Sequence, residues 1–91
     1  MRSLGAKLSK IILVGHLKEV FGGEVLEAEG RRLSEVLKFL SSKANDLLDL
    51  DGKPSGKYVF LINGVDSLVY GEDPEVGEED NITIVPISHG G

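Results

Sequence analysis

Apolar residues recur in two rhythms along this chain, and the places where one gives way to the other outline a fold. From Lys7 to Val14 the run grows rich in β-branched residues, and side chains on a strand alternate between faces. Ile11 and Leu13 point one way, Ile12 and Val14 the other, so both faces of this first strand are apolar and one is open to a partner. Gly15 to Gly23 reads as a connection in which Leu17, Val20 and Phe21 form a helical turn that plugs the core. Glu24 to Glu29 is a second strand, Leu26 and Ala28 alternating with Glu27 and Glu29. The period then lengthens. Leu33, Val36, Leu37, Leu40 and Ala44 form one helical stripe, with Glu35, Lys38 and Lys43 on the other side.

Leu47, Leu48 and Leu50 stay apolar without helical spacing and are expected to close the bottom of the core. Asp51 to Gly56 is a loop by composition. Tyr58 to Ile62 is a third strand that runs into Asn63-Gly64, a strong hairpin signal, and Val65 to Tyr70 reads as its short partner strand. An acidic loop, Gly71 to Asp80, leads to a last strand over Asn81 to Ile87. Ile82 and Ile84 occupy one of its faces, Thr83, Val85 and Ile87 the other.

Two strands, a helix and further strands specify an α+β domain, a mixed sheet with one main helix across one face, which is the β-grasp plan. In that plan the first and last strands are central neighbours, so the chain leaves the middle of a rigid sheet. The expected division is a flexible start over 1–6, a β-grasp domain over 7–87 and a flexible tail over 88–91. Pro86 lacks an N–H and should end strand pairing on its side, releasing the tail. Gly90 and Gly91 have no Cβ and tolerate almost any backbone angle. They suit a slot too narrow for other residues, through which the Gly91 carboxylate would reach another protein's active site.

Length and charge narrow the functions open to such a domain. The chain has 91 residues, enough for one domain with a modest core. Its net charge is −5, with the acidic residues concentrated in Glu72 to Asp80, and only Arg31 and Arg32 are adjacent basic residues. Phosphate binding needs a clustered basic surface, which argues against a direct nucleic-acid partner. The absence of cysteine excludes disulfides, thiolate catalysis and iron–sulfur clusters. His16 and His89 are too far apart in sequence to make a metal site alone, and no metal is expected. Gly22-Gly23 reads as a turn rather than a phosphate loop. The apolar run Ile11 to Val14 is too short for a secretion signal or a membrane span, which implies a soluble, cytoplasmic protein with no membrane partner.

Several segments carry a resemblance. Gly15-His16-Leu17-Lys18-Glu19, Arg32-Leu33-Ser34-Glu35-Val36-Leu37, Asn63-Gly64, the run Val76 to Ile84, and Pro86 followed by Gly90-Gly91 occur in a telling order. In that order the chain from Lys7 onward resembles the ubiquitin-like sulfur carriers. These include the small subunit of molybdopterin synthase, the thiamine-pathway carrier and the ubiquitin-related modifiers. Arg32 stands where a capping Thr is frequent, so Ser34 or water is expected to satisfy the first helix amides. Ile87 stands in place of a second proline, and His89 ahead of the glycines is similar to the ubiquitin-related modifiers.

The resemblance implies a carrier and substrate rather than an enzyme. A ubiquitin-type activating enzyme, using its own ATP and Mg²⁺, would adenylate the carboxylate of Gly91, with Gly90 threading the slot. A persulfide sulfur donor would then convert the adenylate to a thiocarboxylate. Sulfur would pass to molybdopterin through the large subunit of molybdopterin synthase, to a thiazole, or to tRNA through a thiolating enzyme. In a second reading, lysines of target proteins attack instead and the chain becomes a protein modifier. In a third, it is a ubiquitin-like interaction module with an inert tail. The residues expected at the partner are Ile12, Val14, Val85, Pro86, Ile87 and His89.

Overall fold

The computed structural model describes residues 8–87. The expected flexible segments 1–6 and 88–91 fall outside that range, as do Lys7, His89, Gly90 and Gly91. The elements run in the order β1 (Leu8–Leu13), α1 (Leu17–Phe21), β2 (Val25–Glu29), α2 (Leu33–Leu40), β3 (Tyr58–Ile62), β4 (Val65–Asp66), a 3₁₀ turn (Ser67–Tyr70) and β5 (Asn81–Pro86). The sheet order is β2-β1-β5-β3-β4. β1 and β5 are parallel central neighbours, and the other pairs are antiparallel.

Alternation decides which side of the sheet is covered. Ile11 and Leu13 of β1, Phe60 of β3, and Ile82 and Ile84 of β5 are buried against Leu33, Val36, Leu37 and Leu40 of α2. The helical stripe is therefore core, and Ala44 packs partly against it beyond the last helical turn. In the first connection Leu17 is buried and Phe21 packs on the core, but Val20 faces outward.

The start of α2 departs from the expected capping. Arg32 is the N-cap residue and its side chain makes no capping bond. The cap comes from Asp73, far along the chain: its Oδ1 accepts the Ser34 N–H at 2.8 Å and its Oδ2 accepts the Ser34 hydroxyl at 2.6 Å. The Leu33 N–H donates to the Pro74 carbonyl at 2.9 Å. A carboxylate here also complements the positive end of the helix dipole. Ser34 thus takes part as a donor, not as the acceptor that the orphan amides need. The acidic segment is correspondingly more than a solvated loop. Val76 is buried, and Asp80 accepts both the Gly77 N–H and the Asn63 side-chain amide at 2.8 Å.

Two further expectations are corrected. Leu47 is buried and Leu48 partly so, but Leu50 is fully exposed, because it sits in the turn at 49–52, where the Gly52 N–H donates to the Asp49 carbonyl. The strand expected over Val65 to Tyr70 ends at Asp66. There the Asp66 Oδ1 accepts the Leu68 N–H at 2.9 Å and starts the 3₁₀ turn, a local bond that replaces the ladder.

Candidate functional site

The face of the sheet turned away from α2 is the candidate site. Its residues are those that alternate with the core: Ile12 in β1, Thr83 and Val85 in β5, Val59 and Leu61 in β3. Register aligns them. Ile12 stands opposite Thr83, Thr83 opposite Leu61, and Val85 opposite Val59. Strands lie about 4.8 Å apart, so the row from Ile12 to Leu61 spans roughly 10 Å. Val25, 55% exposed on the edge strand, extends it on the far side of Ile12. Both α1 and α2 contribute their buried residues to the core on the opposite face.

This face brings Ile12 and Val85 onto one surface, as the alternation requires. Val14 lies one residue past β1 and is 38% exposed; Ile87 lies one residue past β5 and is 39% exposed. Val25, Val59 and Leu61 belong to the same surface and were not singled out from the sequence. The signal was present in Tyr58 to Ile62, five apolar residues without polar alternation, the pattern of a strand that is apolar on both faces.

Pro86 marks where the strand loosens. β1 pairs with β5 only as far as Ile84, while β3 continues to Pro86, and the Ile87 N–H still donates to the Lys57 carbonyl at 3.1 Å. N–H groups alternate along a strand, so the one that Pro86 lacks would have faced β1. Its ring lies over Gly15, where a Cβ would come within 3.5 Å of the proline Cγ. The chain is thus released from β1 at Pro86, while β3 still holds it at Ile87. At the far end of the face Lys10 stands between Glu27 and Asn81.

On the other side of the sheet, the Tyr58 hydroxyl donates to Asp46 Oδ1 at 2.8 Å. Burial, reinforced by that bond and by the carboxylate charge, pushes the phenol up to about 12. The tyrosine is a neutral structural donor, remote from the open face. Among the described residues no group of three or more His, Cys, Asp or Glu is placed to hold a metal ion, and no helix is long and apolar enough to cross a membrane.

The sequence matches the ThiS family over residues 11–91. Among solved structures, Urm1 of Sulfolobus solfataricus is 31% identical with a TM-score of 0.73, covering 86% of this chain and 99% of its own. The small archaeal modifier protein 1 of Methanosarcina acetivorans is 26% identical with a TM-score of 0.76, covering 94% and 98%. A chain of the BexX/CysO complex of Amycolatopsis orientalis is 25% identical with a TM-score of 0.74, covering 91% and 99%. No curated protein matches significantly. The chain belongs to the ThiS family and has the β-grasp fold of the ubiquitin-like sulfur carriers.

Proposed function

We propose that the protein is a sulfur carrier charged at Gly91. In this reading the open sheet face, with Ile12, Val14, Val85 and Ile87, docks onto a ubiquitin-type activating enzyme, and Pro86 and His89 lie along the path of the tail. The Gly91 carboxylate attacks the α-phosphate of ATP held with Mg²⁺ by that enzyme, and pyrophosphate leaves. A persulfide sulfur then displaces AMP to form an acyl disulfide. A second thiol of the sulfur donor attacks the donor's own sulfur in it, leaving a donor disulfide and the free thiocarboxylate. The acceptor is molybdopterin, made with the large subunit of the synthase, or tRNA served by a thiolating enzyme. One observation carries the reading: an apolar face uncovered by either helix runs to Ile87, the last described residue, four positions before Gly91. Docking there and delivery of the tail are geometrically coupled. The family match supports it by extending through Gly91 itself.

A second reading has support of its own. The likeness to a small archaeal modifier protein favours attack by a lysine amine on the same adenylate, which joins Gly91 to a target protein. Intact-protein mass after incubation with the activating enzyme, ATP and a sulfur donor separates the two. An oxygen-to-sulfur exchange on the free chain supports the carrier, and high-mass adducts on target lysines support the modifier. An unchanged mass leaves only the interaction module.

Val85→Asp tests the docking face. An outward strand position tolerates charge in the monomer, while the desolvated centre of an interface does not. The variant should keep its thermal midpoint and lose affinity for the activating enzyme in a calorimetric titration. Full affinity would take Val85 out of the interface.

A further inference from the structure

The two sides of β3 are not equally satisfied. β5 pairs with it along its whole length, whereas β4 reaches only Leu61 and Ile62 before the 3₁₀ turn begins. The phase of the ladder is fixed by the Ile87 N–H on the Lys57 carbonyl at 3.1 Å and the Asn63 N–H on the Asn81 carbonyl at 2.7 Å. Odd-numbered residues therefore turn their N–H and C=O toward β5, and Tyr58 and Phe60 turn theirs outward. The pairing of Leu61 with Asp66 commits the Phe60 carbonyl to the Ser67 N–H. The N–H and C=O of Tyr58 and the N–H of Phe60 are therefore the outward groups without a backbone partner among the described residues. Such a row of open donors and acceptors is a template for another strand.

A groove of about 530 Å³ lies against this edge, with Pro54, Gly56 and Leu68 in its lining beside Tyr58 and Phe60. Its rim is acidic, with Asp49, Asp51, Asp66 and Glu72; Lys53, its one basic residue, is held by Glu72 at 2.9 Å. Leu68 is 70% exposed, and its neighbours Val69 and Tyr70 also face solvent. An open backbone edge, an apolar wall and a negative rim together select an extended segment with alternating apolar and basic residues.

We infer that the outer edge of β3 at Tyr58 to Phe60 receives an extended basic segment of a partner protein, which adds a strand where β4 stops. Three residues of strand span roughly 10 Å, the length of edge left open. The groove shares Val59 and Ile87 with the open face, but strand addition at Tyr58 needs no charging of Gly91, so its test is distinct from that of the sulfur-carrier reading.

The test uses the full chain, isotopically labelled, and a synthetic Lys-Val-Lys-Val-Lys-Val peptide. Binding should slow hydrogen exchange at the Tyr58 and Phe60 amides and move their resonances. The same peptide N-methylated at alternate amides should bind about tenfold or more weakly, the loss expected for two or three backbone hydrogen bonds. A Glu-Val counterpart should not bind, and Asp49→Lys should weaken the parent peptide. No binding, equal binding of the N-methylated peptide, or shifts centred on Ile12 and Val85 would each overturn the inference. So would amide protection that rises with protein concentration alone, which makes a second copy the occupant. A chain shortened to Ile87 that binds the peptide tenfold more tightly would give the groove to residues 88–91 and overturn it likewise.

Discussion

Single residues decide this fold at places where the backbone itself comes close. Gly30, between β2 and α2, has φ of 157°, and a Cβ built on it would sit 2.7 Å from the Val36 backbone nitrogen and 2.9 Å from Val36 Cγ2. No rotation of a side chain relieves a clash with backbone. Gly30→Ala should therefore cost on the order of 1–3 kcal/mol, as other overpacking changes do, read as a lower denaturant midpoint; an unchanged midpoint would mean that the helix start shifts freely. Tyr58 gives a pH signature. Its phenol is raised from 10.0 to about 12 in the folded chain, first by burial and then by Asp46. Between those values the folded state keeps a proton that the unfolded state has lost, so stability declines as pH rises through the window and is intact below it. Denaturant midpoints at about pH 9 and about pH 11 should differ more for the parent protein than for Tyr58→Phe. Equal differences would assign the alkaline loss to other groups.

At the scale of elements, what was legible in the sequence is what repeats locally. The stripe on α2 is the strongest case: Leu33, Val36, Leu37 and Leu40 are all buried. Leu37→Ala should cost about 2–5 kcal/mol, against at most about 0.5 kcal/mol for Leu50→Ala, as at other exposed positions. Comparable losses at the two sites in denaturant titrations would contradict this placement of the core. The apolar alternation of β1 and β5 was equally readable, and with it the open face. The rest required contacts that local spacing does not encode. The cap of α2 comes from Asp73, 39 residues after Ser34, and turns part of an acidic loop into a strap across the helix. β4 failed for the opposite reason, being too local. Asp66-Ser67 carries its own turn bond, which wins over pairing with β3 and leaves that edge open. Val59 and Leu61 were missed because a wholly apolar strand does not announce which of its faces lies under a helix.

The whole molecule places β5 between β1 and β3, so a strand held on both sides is the one that leads to the tail. The sheet is a fixed origin from which the distance to Gly91 is counted in residues. If Gly91 is the group that reacts, the count cannot change. Ordering each tail residue in the activating enzyme costs roughly 1–2 kcal/mol of backbone entropy, which docking of the open face must offset before any chemistry. The reacting oxygen must then lie at near-attack distance from phosphorus, where a misplacement of about 1 Å already loses about a hundredfold in rate. One added residue moves the carboxylate by about 3.3–3.6 Å. Deleting Gly91, or adding one alanine after it, should accordingly abolish ATP–pyrophosphate exchange by the cognate activating enzyme. Thermal stability should change little, since the core is built from residues between Ile11 and Ile84. Exchange at the native rate by the extended chain would mean that Gly91 is not the acceptor, and the carrier reading would fail while the fold stood.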